Sequence, residues 1–229
     1  MNMALARLLL SAAYPLLAHA ASAAHDPRLA ALALLDIVLI VLVVPLGQRR
    51  AWAWATVAVS AVLLWFAQKS VPLPVALLLP PVVFPWLVAW FFARTLRAGR
   101  TPLISRIVAG LEDCTPADLA PPLKRYTRNL TRLWAIVLVC IGLANCVLGI
   151  IAVPDGLLVR LGYAPIVTVP QIVWSWFANL LDYGVAGLLM AVEYVVRMRL
   201  FPDRPYKSLS EFIRRLTALG PAFWRDVMR

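Results

Sequence analysis

Long apolar runs alternate with short polar breaks along this chain. Six apolar segments stand out, at about 8–24, 29–47, 51–67, 71–93, 133–153 and 171–196. A helix needs roughly 17–25 residues to cross the hydrocarbon of a bilayer, so even the shortest run is long enough. No water reaches backbone N–H and C=O groups there, so each span must satisfy its own and is predicted to be helical. The first four runs are joined at His25–Arg28, Gln48–Arg50 and around Lys69, which predicts two tight helical hairpins in succession. The fourth run holds Pro72, Pro74, Pro80, Pro81 and Pro85. The last three each remove a backbone donor and crowd the carbonyl four residues earlier, so a kink or partial unwinding is predicted. Broken helices mark binding sites in transporters, although proline is also common in ordinary spans.

The stretch 94–132 between the fourth and fifth runs is patterned as well. Thr101-Pro102 reads as a helix start, with threonine capping and proline in the first helical position. Leu103, Ile104, Ile107, Val108 and Leu111 then recur on one helical face. Thr115-Pro116-Ala117-Asp118 reads as a second start, broken by Pro121-Pro122. From Leu123 a helix is expected to run without interruption into the fifth span. Lys124, Arg128 and Arg132 fall four apart and form one basic stripe leading into the membrane. In the tail, 197–229, Ser208-Leu209-Ser210-Glu211 has capping-box spacing and Gly220-Pro221 a stop. Both amphipathic elements are expected to lie on the cytoplasmic leaflet, where each basic side chain adds about 1 kcal/mol of attraction to anionic lipid.

Composition turns these segments into a class. Of 229 residues, 62% are hydrophobic and 14% charged, with mean hydropathy +0.82. A soluble domain is nearer about 45–50% apolar and about 25% charged. The expected fold class is therefore all-α: a polytopic integral membrane protein of six transmembrane helices with cytoplasmic amphipathic helices, forming a single membrane domain over 1–229. The net charge of +11 matters through its distribution. With the amino terminus inside, all but Arg28, Lys69 and Arg160 of the 22 lysines and arginines fall in inner regions, as the positive-inside rule asks. Both termini are then cytoplasmic, in a bacterial inner membrane. Trp52, Trp54, Trp90 and Trp134 fall near inner ends of spans, and Trp65, Trp174 and Trp176 near outer ends, the depths of aromatic belts. The first run, after Arg7, fits a cleavable signal peptide and also an uncleaved span. The second run follows after only four residues, which favours the uncleaved helix.

Candidate chemistry is confined to polar groups at membrane depth, each of them costly there. Asp36, Asn145, Asn179 and Asp182 form the candidate intramembrane polar site, with Tyr183 beside the last. One reading is a proton-coupled or headgroup-binding site built on Asp36 and Asp182. The plainer one, favoured because each helix carries a single acid, is interhelical hydrogen bonding. Glu193 and Arg197 are four apart at the inner end of the last span and can pair, or can bind a phosphate or carrier headgroup. Metal, cofactor and catalytic patterns are missing: Cys114, Cys140 and Cys146 have no ligand spacing, and no HExxH, GxSxG or phosphate loop occurs. Membrane acyltransferases use a His and an Asp four residues apart, whereas His19 and Asp26 are seven apart and His25-Asp26 lies at the outer face. Basic residues beside a span are topogenic before they are nucleic-acid ligands.

Arg100-Thr101-Pro102-Leu103-Ile104-Ser105-Arg106, Tyr126-Thr127-Arg128-Asn129-Leu130-Thr131-Arg132-Leu133-Trp134, and Phe177 to Tyr183 with Glu193-Tyr194 and Arg197-Met198-Arg199-Leu200-Phe201-Pro202 carry a resemblance. Together with Tyr14-Pro15 and His19, they resemble a family of small bacterial inner-membrane proteins. Members are encoded beside the acyl-carrier proteins, ketosynthases and acyl-activating enzymes of aryl-polyene and xanthomonadin-type pigment pathways. The resemblance spans nearly the whole chain and brings no catalytic residues with it. It implies a non-enzymatic anchor or assembly factor. The residues themselves leave export of a lipidic product as the alternative, resting on Asp36, Asp182 and the proline-rich run, and behind it a membrane-bound acyltransferase resting on His19. The expected partners are membrane lipid and, at the cytoplasmic face, an acidic acyl-carrier protein or other pathway enzymes, with no nucleic acid; they are met by Arg100, Arg106, Lys124, Arg125, Arg128 and Arg132, with Glu193 and Arg197 beside them. The charge pattern predicts that a reporter fused at Lys124 reads as cytoplasmic and one fused at Gly162 as periplasmic. The reverse result would reject the topology.

Overall fold

The computed structural model describes residues 3–70, 73–201, 209–220, 223, 224 and 226. Pro72, Ser208, Pro221 and the tail cations Arg204, Lys207, Arg225 and Arg229 lie outside them. The chain is predominantly helical, and among the described residues four helices are long and apolar enough to cross a membrane: Pro27–Gly47, Ala51–Gln68, Pro121–Ile151 and Gln171–Leu200. It divides into two compact units, Met1–Val83 with Gly142–Gly187, and Phe84–Ile141 with Leu188–Arg229.

In the first unit, α1 (Met3–Ala24) and α2 (Pro27–Gly47) form the first hairpin. α1 has 22 residues, with Arg7, Tyr14, Pro15 and His19 along its apolar run. The turn is written locally. His25 takes the left-handed conformation, with φ 51°. Asp26 then caps α2, its Oδ1 accepting the Arg28 N–H at 2.8 Å, and Pro27 supplies a first position that needs no donor. Alanines let the two helices close: Ala18, Ala21, Ala30 and Ala33 are at most 4% exposed and pack with Tyr14. In hydrocarbon there is no hydrophobic gain between helices, so close backbone approach over small residues supplies the contact. α3 (Ala51–Ser70) follows a second turn with Arg49 at φ 54°. Trp52, Trp54, Val59, Val62, Leu63, Trp65 and Phe66 all face outward along it, a side chain pattern suited to lipid.

The fourth apolar run is not one continuous helix. α4 (Leu73–Ala76) is a single turn and α5 (Pro80–Arg94) is only 15 residues. Pro80 and Pro81 open α5, where a missing N–H costs nothing, and only Pro85 lies inside it. The predicted disruption thus takes the form of a complete break.

Two short parallel strands, β1 (Ala152–Val153) and β2 (Val169–Pro170), pair Ala152 with Val169 and bracket α8 (Leu157–Arg160). A Cβ on Gly156 would stand 2.2 Å from the Ala152 carbonyl oxygen, so only glycine fits this approach. From β2 the chain enters α9 (Gln171–Trp176), a π-helical turn at Phe177–Leu181 and α10 (Asp182–Leu200) as one continuous helix. Trp174 does not join an aromatic belt: it is 1% exposed and sits with Ala152 and Ala178. Gly149 leaves the space, its virtual Cβ 3.4 Å from the Trp174 Nε1.

In the second unit, α6 (Leu103–Leu111) and α7 (Pro121–Ile151) meet through buried hydroxyls. Pro102 precedes α6 instead of entering it, and Thr101 is not its cap. The first free N–H groups of α6 go to side chains from elsewhere: Leu103 N–H to Thr95 Oγ1 at 3.0 Å and Ile104 N–H to Thr131 Oγ1 at 3.3 Å. Ser105 Oγ and Thr127 Oγ1 lie 2.7 Å apart, and Thr127 and Thr131 also donate back to carbonyls of α7. The predicted helix start at Thr115 is a turn. The Thr115 hydroxyl and amide both donate to Asp118 Oδ2, and they hold the Asp118 carboxyl below the usual carboxylate range. Pro121-Pro122 opens α7 instead of ending a helix, and α7 runs 31 residues without a break. Amphipathic α11 (Leu209–Ala218) carries a Glu211–Arg215 pair on one face.

The alanine seam of the first hairpin tolerates no added bulk. Ala33→Leu is expected to lower stability by about 1–3 kcal/mol, read as a lower midpoint in an SDS unfolding titration. Leu32→Ala, on the exposed face of the same helix, is expected to leave that midpoint nearly unchanged.

Candidate functional site

All four residues of the predicted intramembrane polar site fall in the first unit. Asn145 on α7 donates from Nδ2 to Asp182 Oδ2, at the start of α10, at 2.5 Å. Asn179, in the π-helical turn, donates from Nδ2 to the Ser175 carbonyl at 3.0 Å and to Ser175 Oγ at 3.3 Å. Ser175 Oγ is in turn 2.9 Å from His19 Nδ1 on α1, and the His19 ring meets Trp176 edge-on with centroids 4.9 Å apart. Having accepted from Asn179, the Ser175 hydroxyl still has a hydrogen and a second lone pair, so it can donate to His19 Nδ1 or accept from it. The chain Asn179–Ser175–His19 ties the last membrane-length helix to α1.

Asp36 is brought into neither hydrogen-bonded group. It is 4% exposed, and Oδ2 has no partner among the described residues. Buried oxygens without a hydrogen-bond partner among the described residues recur in this unit: Tyr14 OH, Gln171 Oε1, Asn179 Oδ1 and Asp182 Oδ1 join Asp36 Oδ2. Tyr14, Ser175 and Gln171 were missed by the sequence reading. Ser175 alone had a local signal, since it stands four residues before Asn179 on one helix. No group of three or more metal-ligating side chains occurs among the described residues.

The second unit holds the interfacial candidates. Glu193 Oε1 receives Arg197 Nε at 2.6 Å and the Tyr126 hydroxyl at 3.2 Å. Arg197 is buried, with its guanidinium 6.0 Å from the Phe212 ring of α11. Desolvation pushes the Glu112 carboxyl up, and Arg197 pulls it partly back. The predicted Glu193–Arg197 pair thus exists, and Tyr126 completes it. Of the predicted partner-binding cations, Arg100, Lys124, Arg125, Arg128 and Arg132 are exposed and Arg106 is half-buried. Lys124 Nζ donates to the Ala117 carbonyl, Arg128 to that of Leu96 and Arg106 to that of Asp226. No carboxylate among the described residues pairs with any of the six.

Comparison with protein-family models, with curated proteins and with solved structures returned no match.

The Asn145–Asp182 bond joins two membrane-length helices, which is the geometry of a structural crosslink. A double-mutant cycle of Asn145→Leu and Asp182→Leu, read in SDS unfolding, is expected to return a coupling of about 0.6–1.7 kcal/mol. Additive effects would show that the two side chains do not support each other.

Proposed function

We propose that this chain is a non-enzymatic inner-membrane anchor that gathers an acidic acyl-carrier protein to the cytoplasmic face of the bilayer, in a pathway that builds a polyene pigment or related lipid. Six passes and two cytoplasmic termini belong to this reading: the four membrane-length helices are joined by α1 and by α4 with α5, which fill out the first and fourth crossings. The resemblance to the pigment-cluster family supplies the pathway.

The observation that carries the reading is the set of exposed cations on and before α7. Arg100, Lys124, Arg125, Arg128 and Arg132 stand exposed and unmatched by any carboxylate among the described residues. Fixing topology requires positive charge, but it does not require that charge to be held on helices built by a buried hydroxyl network. Unmatched cations at fixed spacing steer an acidic protein toward the surface and set its orientation. Complementarity of this kind acts through solvent and weakens as salt rises.

The test is capture of acyl-carrier protein by the detergent-solubilised full chain at low and at high salt. Binding is expected at low salt, to fall steeply as salt rises, and to be lost in Lys124→Glu/Arg128→Glu. Absent or salt-insensitive binding rejects recruitment.

A further inference from the structure

The inner ends of α7 and α10 leave an open groove of about 350 Å³ between them in the second unit, lined by Tyr126, Asn129, Leu130 and Leu133 from α7 and by Leu189, Val192, Glu193 and Val196 from α10. On each helix these are positions i, i+3, i+4 and i+7, so each presents a single face. The walls are apolar apart from Asn129 and the polar end. There Tyr126 and Arg197 both donate to Glu193, so the carboxylate in the groove is already matched. Directly beside that face on α7, Arg125, Asn129 and Arg132 follow at i, i+4 and i+7. All three side chains are exposed, and the two arginines are without a partner among the described residues.

We propose that this groove seats one acyl chain of an anionic phospholipid, with its phosphate held by Arg125, Asn129 and Arg132. Two features select this occupant. Both helices have the length and hydropathy of membrane spans, and the groove lies where the apolar run of α7 begins at Leu133 and that of the last helix ends at Val196, the edge of the hydrocarbon. Among the described residues the unmatched charge at the mouth is positive, and it sits on the rung between the polar end of α7 and its apolar continuation, at headgroup level. A zwitterionic lipid would fill the same walls but would gain less from the two guanidinium groups. The seat does not depend on carrier recruitment, for which Arg100, Lys124 and Arg128 remain.

The test is native mass spectrometry of the full chain, offered phosphatidylglycerol and phosphatidylcholine with identical acyl chains in equal amounts. Phosphatidylglycerol is expected to be retained on the order of tenfold over phosphatidylcholine. Arg125→Gln/Arg132→Gln is expected to bring the ratio close to one, while Arg100→Gln/Lys124→Gln leaves it intact. Leu130→Trp and Leu189→Trp fill the groove from opposite walls and are expected to reduce retention of both lipids, with circular dichroism confirming the helices. Three results overturn the proposal: equal retention of the two lipids by the wild type, loss of preference as complete in Arg100→Gln/Lys124→Gln as in the Arg125/Arg132 variant, or undiminished retention in folded tryptophan variants. The glutamine pairs change only exposed side chains, so the headgroup question is answered even where a tryptophan variant does not fold.

Discussion

A peptide group that leaves water must find its hydrogen-bond partner inside the protein, and most of this architecture follows from that requirement. Along α2, α3, α7 and the helix from Gln171 to Leu200 the partner is four residues away in the same helix. The requirement becomes hard to meet where helices begin, because the first N–H groups have no carbonyl behind them. The chain meets it in three ways. Asp26 caps α2 from the adjacent position. Pro27, Pro80 and Pro121 remove the donor where a helix opens. Thr95 and Thr131 reach in from other segments to serve α6.

Those three solutions differ in how visible they are along the sequence. Asp26-Pro27 lies between two apolar runs, so the first hairpin was legible from neighbouring residues. The hydroxyls serving α6 come from 8 and 27 residues away, and no local pattern announces them. Thr101, the nearest capping residue, was a reasonable reading that tertiary contact displaced. The same distance explains Trp174. Its depth suggested an aromatic belt, but the gap opened by Gly149 and the small residues Ala152 and Ala178 takes it inside. At Thr115 the residues suited a helix start, but both Thr115 donors close on Asp118 and Pro121 restarts the chain.

The polar candidates were similarly half visible. Helical spacing fixes Glu193 against Arg197 and Ser175 against Asn179, so these pairs could be found by counting. The bond from Asn145 to Asp182, the reach of His19 to Ser175 and the addition of Tyr126 to Glu193 join residues 37, 156 and 67 positions apart. Only the packing of helices brings them together. Asp36 shows the converse case: it was conspicuous as an acid in an apolar run, yet the fold gives its Oδ2 no hydrogen-bond partner among the described residues.

The π-helical turn at Phe177–Leu181 acts as a phase adjuster in the last helix. A wide turn of this kind accommodates an extra residue within an α-helix. Were the same residues to resume ordinary α geometry, everything downstream would be rotated by about 100°. Asp182 would then swing off the side that faces Asn145 although neither residue had been altered. The angular setting of the helix is thus held in a backbone irregularity as much as in its side chains.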